Sequence, residues 1–322
     1  MGDITTILPS YFGISTRATK ERGAFICKTG SGITRISKSQ DNYATIRMRH
    51  SLLDKLESSG FPFIDKIIPS TFGTPYVQLG RETFVMTNYI KGQELDLDCE
   101  NSIALAVEAI AKCHTVANGF NDGAIKISSP LTEVFSKNIT FLEKTLRQLN
   151  KTSRLSDFDV MFLKNVDKYT NDAKKSLELL NTTDYISLYQ NAVHGGTLCH
   201  NSLKEENLQI FEEKCYITNW DDSAIDLQII DFAGFLHRYA RRSIHKISLF
   251  TILNMYDSFL HLPTNATKII YAYLVHPWQF IKIAMHYYSK KRGWTPGAIT
   301  SRMAKLLEEQ AAYDEFISVY TL

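Results

Sequence analysis

A chain of 322 residues, 44% apolar and 22% charged, has room for one large domain or two lobes around a substantial core. Its 36 Lys and Arg nearly balance 34 Asp and Glu, and a net charge of +2 excludes a broad field suited to nucleic acid or an anionic membrane. No apolar run approaches the roughly 20 residues of a spanning helix, and the N-terminus lacks the basic start and apolar core of a secretory signal.

In chain order, Ala24–Lys28 and Ile33–Ser37 read as a β-hairpin, with Thr29-Gly-Ser-Gly32 as its turn. From Asp41 to Ser59 the residues Ile46, Met48, Leu52, Leu53 and Leu56 keep a helical period, stopped by Gly60 and Pro62. Strands resume at Tyr76–Leu79 and Thr83–Met86. Residues 1–88 therefore form a small sheet-rich lobe, 89–95 a hinge, and 96–322 a larger helical lobe. Helical patterns in the larger lobe cover 102–116, 131–150, 157–180, 226–242, 246–261, 265–289 and 297–319. Its one clear strand pair is Asn207-Leu-Gln-Ile-Phe with Lys214-Cys-Tyr-Ile-Thr. The predicted class is α+β, in the two-lobed plan of the protein kinases. The five cysteines (Cys27, Cys99, Cys113, Cys199, Cys215) are scattered, with no Cys-x-x-Cys, and read as reduced thiols and not as zinc ligands.

The segment 198–222 carries the outline of a phosphotransferase catalytic loop. Kinases need His-x-Asp-x-x-x-x-Asn and then an Asp at the end of a short apolar strand: a base for the hydroxyl proton, and two magnesium ligands. Here His200 and Asn207 keep the spacing, Ser202 stands at the base, and Asn219 stands at the metal position. His194-Gly195 followed by Asn201 offers a rival frame. Asn201 leads into Ser-Leu-Lys-Glu-Glu, which is no strand, whereas Asn207 leads into Leu-Gln-Ile-Phe. Losing a general base removes about 10²–10⁴-fold in rate, and an Asn ligand removes a charge that would hold magnesium. Asp221 or Asp222 offers a substitute metal ligand if the turn shifts. Asp226 and Asp231 are expected to cap backbone amides.

The small lobe offers little for a nucleotide. Ser15–Gly23, where a phosphate-covering loop belongs, has only Gly23, and Gly30-Ser31-Gly32 is better explained as a hairpin turn. Lys38 or Ser37 occupies the strand position of the ATP lysine. The following helix carries Arg47, Arg49 and His50 before its first acid, Asp54. The basic run Arg238, Arg241, Arg242 and Lys246 reads as a solvated helix face or a protein contact. The aromatics of Tyr271–Phe280 and His286–Tyr288 read as helix packing, and His114 as a hydrogen-bonded structural histidine.

Taken in order, Arg22-Gly-Ala-Phe-Ile-Cys27, Gly60-Phe-Pro62, Pro75-Tyr-Val77, Tyr89-Ile-Lys-Gly92, Cys113-His114, Gly196–His200, Thr218-Asn-Trp220 and Asp226–Asp231 resemble the CotS-type spore coat proteins. These are kinase-like relatives of the aminoglycoside and choline phosphotransferases. Members usually read Cys-His-Gly-Asp or Cys-His-Gly-Ser at the loop, so Asn201 in place of the Gly is a departure, while Thr-Asn before an aromatic is shared. The resemblance implies synthesis in the mother-cell cytoplasm and incorporation into the coat, with other coat proteins as partners and neither nucleic acid nor membrane. Its implied function is a pseudokinase with a structural or interaction role, with no cofactor and no resident metal expected. The alternative is a residual small-molecule phosphotransferase that uses Mg-ATP, with Asn207, Asn219 and Asp221 facing nucleotide and metal. A third reading is a nucleotide sensor without catalysis.

Overall fold

The computed structural model describes residues 4–21, 23–29, 32–121, 123–242, 247–289 and 296–318. Its N-terminal part is an antiparallel sheet in the order β1-β2-β3-β6-β4, with β5 also on β6. The strands are β1 (Thr19–Glu21), β2 (Ala24–Thr29), β3 (Gly32–Ser39), β4 (Ile67–Ile68), β5 (Val77–Leu79) and β6 (Glu82–Asn88). Alternation along β3 sorts its side chains between faces. Thr34 and Ile36 are buried; Ile36 joins a core of Leu8, Phe12, Phe25, Val77 and Phe84, whereas Arg35 and Ser37 line the cleft beneath the sheet. Leu8 comes from α1 (Ile4–Ser10), a short helix that sequence periodicity did not reveal. The turn expected at Gly30-Ser31 lies outside the described residues.

Helix α2 (Tyr43–Ser58) begins where the Asn42 side chain accepts the Thr45 amide at 2.9 Å, and it ends at Gly60, whose φ of +104° suits glycine. Its buried face of Ile46, Leu52, Leu53 and Leu56 belongs to the same core as Ile103, Val107 and Ile110 of α3 (Glu100–Val116). Between these helices the chain passes through the connector at Tyr89–Gly92 into β7 (Gln93–Glu94), which pairs with β9 (Leu208–Phe211). Gly92 allows this pairing, because a Cβ there would lie 2.8 Å from the Ile210 carbonyl oxygen.

The remainder is mostly helical: α4 (Leu131–Leu149), α5 (Asp157–Asn181), α6 (Tyr185–Gly195), α7 (Gln228–Arg242), α8 (Leu249–Phe259), α9 (Ala266–Val275), α10 (Trp278–Tyr288) and α11 (Pro296–Ser318). The single helix expected over 265–289 is two helices. Pro277 has no amide to donate and forces His276 into an extended conformation with ψ 130°, so α9 stops and α10 restarts. The pair formed by β9 and β10 (Lys214–Ile217) has a companion, β8 (Leu198–Cys199) with β11 (Ala224–Ile225). The aromatics of the 271–288 region pack largely as expected. Phe280 stacks on Tyr169 at 4.0 Å and on Phe162 at 5.4 Å within a second core of α4, α5, α10 and α11. The five cysteines are all free thiols. Among the described residues no helix is long and apolar enough to cross a membrane.

Candidate functional site

Segment 198–222 hangs between two structural supports. At its start, β8 pairs with β11, and the rival histidine, His194, sits exposed in the last turn of α6. Only Asn207 feeds a strand, closing a single helical turn at Glu205–Asn207 before β9. From below, Asp231 in the first turn of α7 accepts the His200 amide at 2.7 Å through Oδ2 and the Asn201 amide at 2.9 Å through Oδ1. His114 reaches the same carboxylate at 3.3 Å and the Tyr256 hydroxyl at 2.8 Å, the structural role expected of it. Asp226 holds the Leu227 amide at 2.7 Å, so both aspartates cap backbone donors.

His200 is a folding element of the loop. Its Nδ1 accepts the Ser202 amide at 3.2 Å, so Nε2 carries the proton donated to the Thr218 carbonyl at 3.0 Å. Its ring lies edge-on to Trp220, and burial lowers its pKa, which keeps the imidazole neutral. The loop turns at Asn201, whose φ is +59°. That left-handed conformation explains the glycine usual in the resembling proteins; Asn is among the few side chains that tolerate it. Asn201→Ala is expected to destabilise the protein by about 1–2 kcal/mol, and Asn201→Gly to be nearly neutral, in urea denaturation monitored by circular dichroism. Equal stability of the two variants would refute the argument.

The three predicted positions Ser202, Asn207 and Asn219 converge. Asn207 Nδ2 donates to the Ser202 carbonyl at 2.8 Å and approaches Ser202 Oγ at 3.4 Å, while Asn207 Oδ1 accepts from Asn219 Nδ2 at 3.3 Å. The two amides that would share a magnesium ion are thus hydrogen-bonded to each other. Asn219 has φ +64°, and its own amide donates to Asp65 Oδ2 at 3.0 Å. Asp65 was not anticipated. Its sequence signal is one acid in the apolar run Phe63-Ile-Asp-Lys-Ile67, at the point where Ile64 bridges to Ile217. Burial lifts its pKa to about 7, with the Asn219 amide and Arg35 opposing the rise and Asp221 adding to it.

Asp221, the candidate substitute ligand, is held elsewhere. Arg49 on α2, with its side chain 11% exposed, bridges Asp221 at 2.9 Å and Asp41 at 2.7 Å. A cation therefore stands on the helix that would carry the lysine's acidic partner. Lys38 is turned away to Glu82 at 2.5 Å, with both groups about half exposed. Above the cleft, the register Glu21↔Ala24 leaves only residues 22 and 23 between β1 and β2, with no length for a phosphate-covering loop.

The interlobe cleft holds about 770 Å³ and is lined by Arg35, Arg49, Asp65, Asn207 and Asn219 among others. Magnesium does not fit this donor set. Asn207 and Asn219 are amides bonded to each other, Asp221 is paired with Arg49, and Asp65, though its Oδ1 has no partner, is raised to a pKa of about 7, so the set supplies little charge for the ion, and no cluster of three or more His, Cys, Asp or Glu that could bind metal occurs among the described residues.

A two-lobed fold with a catalytic-loop frame defines the class as kinase-like. Similar solved structures share it: an aminoglycoside phosphotransferase from Alicyclobacillus acidocaldarius (16% identity, TM-score 0.84, 99% of this chain and 95% of that one). A spectinomycin phosphotransferase in complex with ADP and spectinomycin follows (14%, 0.70, 98% and 97%), then a microcompartment-associated aminopropanol kinase (13%, 0.59, 99% and 98%). At these identities the likeness is one of fold. The chain itself belongs to the family described as "Spore coat putative kinase YutH", whose model matches residues 5–320. The resemblance to CotS-type coat proteins and the predicted α+β kinase-like class both agree with these matches.

Proposed function

We propose that this protein is a pseudokinase that serves the bacterial spore coat as a structural or interaction component, made in the mother-cell cytoplasm and then incorporated into the coat, with other coat proteins as its partners. One observation carries the reading: the two positions that the kinase pattern gives to magnesium ligands are both amides, and Asn219 donates to Asn207 at 3.3 Å. Ser202 contributes no base, Arg49 withholds Asp221, and the β1–β2 connection is too short to cover phosphates. The scaffold around the loop, by contrast, is held by hydrogen bonds between Asp231 and the amides of His200 and Asn201 and between the His200 ring and Ser202 and Thr218. A loop supported in this way without its acids fits a surface kept for shape.

The test is thermal denaturation of the full chain with ATP, with and without magnesium. A ligand at 100 times its Kd adds about 2.7 kcal/mol, a shift of several degrees for a protein of this size. The expected result is no magnesium-dependent shift, and a clear one would overturn the reading. Under the alternative, Asp221 serves phosphoryl transfer. Isotope-labelled ATP incubated with the wild type and Asp221→Ala should then show incorporation or hydrolysis that the variant loses. None above a heat-killed control is expected. A shift with ATP in chelator alone would favour the sensor reading, through Arg35 and Arg49.

A further inference from the structure

A second cavity, of about 880 Å³, opens on the other side of the loop, between Asn201–Lys204 and helices α7, α10 and α11. Seven of its lining residues are Lys or Arg and two are carboxylates, in a chain whose net charge is only +2. Of the basic run expected on a solvated face or in a protein contact, Arg238, Arg241 and Arg242 line this cavity, Arg242 still exposed, and Lys246 lies outside the described residues. Part of the charge is compensated locally. Arg238 and Arg242 both pair with Glu205, Lys305 lies 3.6 Å from Glu309, and Asp231 is committed to the loop amides.

What remains is concentrated on one face of α7, where positions 237 and 241 are neighbours one turn apart. Arg241 stacks 3.6 Å over the Tyr313 ring and donates from Nη2 to Gln310 at 3.0 Å. Its Nε and Nη1 are sealed from solvent with no acceptor, while the Tyr313 hydroxyl, Asp314 and Glu309 lie near enough to offset part of its charge. His237 is 7% exposed, and its Nε2 also has no partner. Burial and the neighbouring arginines push the His237 pKa down to about 3, so the ring is neutral and offers a polar Nε2 rather than a second buried charge. Lys282, exposed on α10, has no ion-pair partner among the described residues and faces the same space. Buried donors without acceptors are costly, and a guanidinium fork is the group best matched to an oxyanion.

We infer that this cavity binds a small organic anion, its phosphate or carboxylate oxygens facing Lys282 and accepting from Arg241 and His237 once those donors turn from their sealed positions into the cavity. The volume suits a small molecule, and the unpartnered donors are sealed from solvent instead of forming the exposed stripe a polymer would follow. The inference is independent of whether the interlobe cleft holds nucleotide.

Isothermal titration of the full chain with pyrophosphate and with citrate, in chelator, tests it, with kanamycin as a cationic control. At least one anion should bind with Kd below about 1 mM, and which of the two binds better separates a phosphate from a carboxylate source. Arg241→Gln and Lys282→Glu should each weaken it about tenfold, the loss expected on removing or reversing one partner of a charge pair. Arg35→Glu, in the interlobe cleft, should leave affinity within about twofold. Lys282 is exposed, so its variant remains informative if Arg241→Gln fails to fold. Binding of neither anion, binding of kanamycin in their place, or sensitivity to Arg35→Glu with indifference to Lys282→Glu would each overturn the inference.

Discussion

Asp231→Ala is expected to cost about 3–5 kcal/mol of stability, a large share of the 5–15 kcal/mol typical of a folded domain. The carboxylate is 4% exposed and satisfies the amides of His200 and Asn201 together with the ring of His114. Alanine would leave the buried His200 amide and the part-buried Asn201 amide unpaired, at about 1–3 kcal/mol for a fully buried donor and less for the second, and would strip His114 of one partner. Asp231→Asn keeps an acceptor for one amide and presents an NH₂ to the other, so an intermediate loss is expected. Asp222→Ala, on an exposed neighbour of the same site, should stay within about 0.5 kcal/mol. Urea midpoints at neutral pH order the three, and the argument fails if Asp231→Ala is as stable as Asp222→Ala. The functional point follows from the same bonds. The loop owes its shape to α7 and to the His200 ring, neither of which needs Ser202 to be an acid, so the fold of the loop does not depend on an acid at that position.

This separation explains what the sequence reveals and what it hides. The loop frame is legible because it is local: Asn207 runs directly into an apolar strand, and Ser202 and Asn219 follow from spacing alone. Strands β8 and β11 are invisible because two residues have no period, and α1 because seven residues with Pro9 inside give no pattern. The break at His276-Pro277 is written in the chain as a proline, but the apolar period runs across it and masks the stop. Asp65 and the basic cavity are hidden for another reason. Asp65 matters only because the Ile64–Ile217 bridge carries it to the Asn219 turn. The cavity's charge is assembled from Lys204 in the loop and from 238–242, 282 and 302–305, three stretches that each look like an ordinary solvated helix face. Arg49 belongs with them, since its role depends on Asp221 arriving from a residue 172 positions away.

The second large effect concerns Asp65. Its folded pKa is raised to about 7 from an ordinary 3.8, first by burial, with Asp221 adding to the rise and the Asn219 amide and Arg35 opposing it. The folded protein therefore holds a proton that the unfolded chain has already lost between those values. Stability contributed by that proton is fully present below about pH 4, falls as pH rises toward about 7, and is gone above it. Each tenfold step costs about 1.4 kcal/mol, so about 4 kcal/mol is a ceiling, and rearrangement that admits water to the sealed Oδ1 on ionisation reduces the expected effect to about 1–2 kcal/mol. Other groups tilt the same profile. Asp226, raised to about 6, acts in the same direction, while His237 and His276, lowered to about 3, act oppositely because the unfolded chain protonates first as pH falls. The wild-type curve alone is therefore uninformative, and the difference from Asp65→Asn isolates one group. Asparagine keeps an oxygen for the Asn219 amide and cannot ionise. The variant should gain about 1–2 kcal/mol relative to wild type between pH 5 and pH 8, in urea denaturation at half-unit intervals. A parallel pair of curves would mean that Asp65 does not titrate across this range, and, if a fall in stability appears only below pH 5, that it is ionised throughout and holds the turn at Asn219 with a full negative charge. That outcome would return a carboxylate to the position where metal is absent from the present donor set, and with it the case for magnesium.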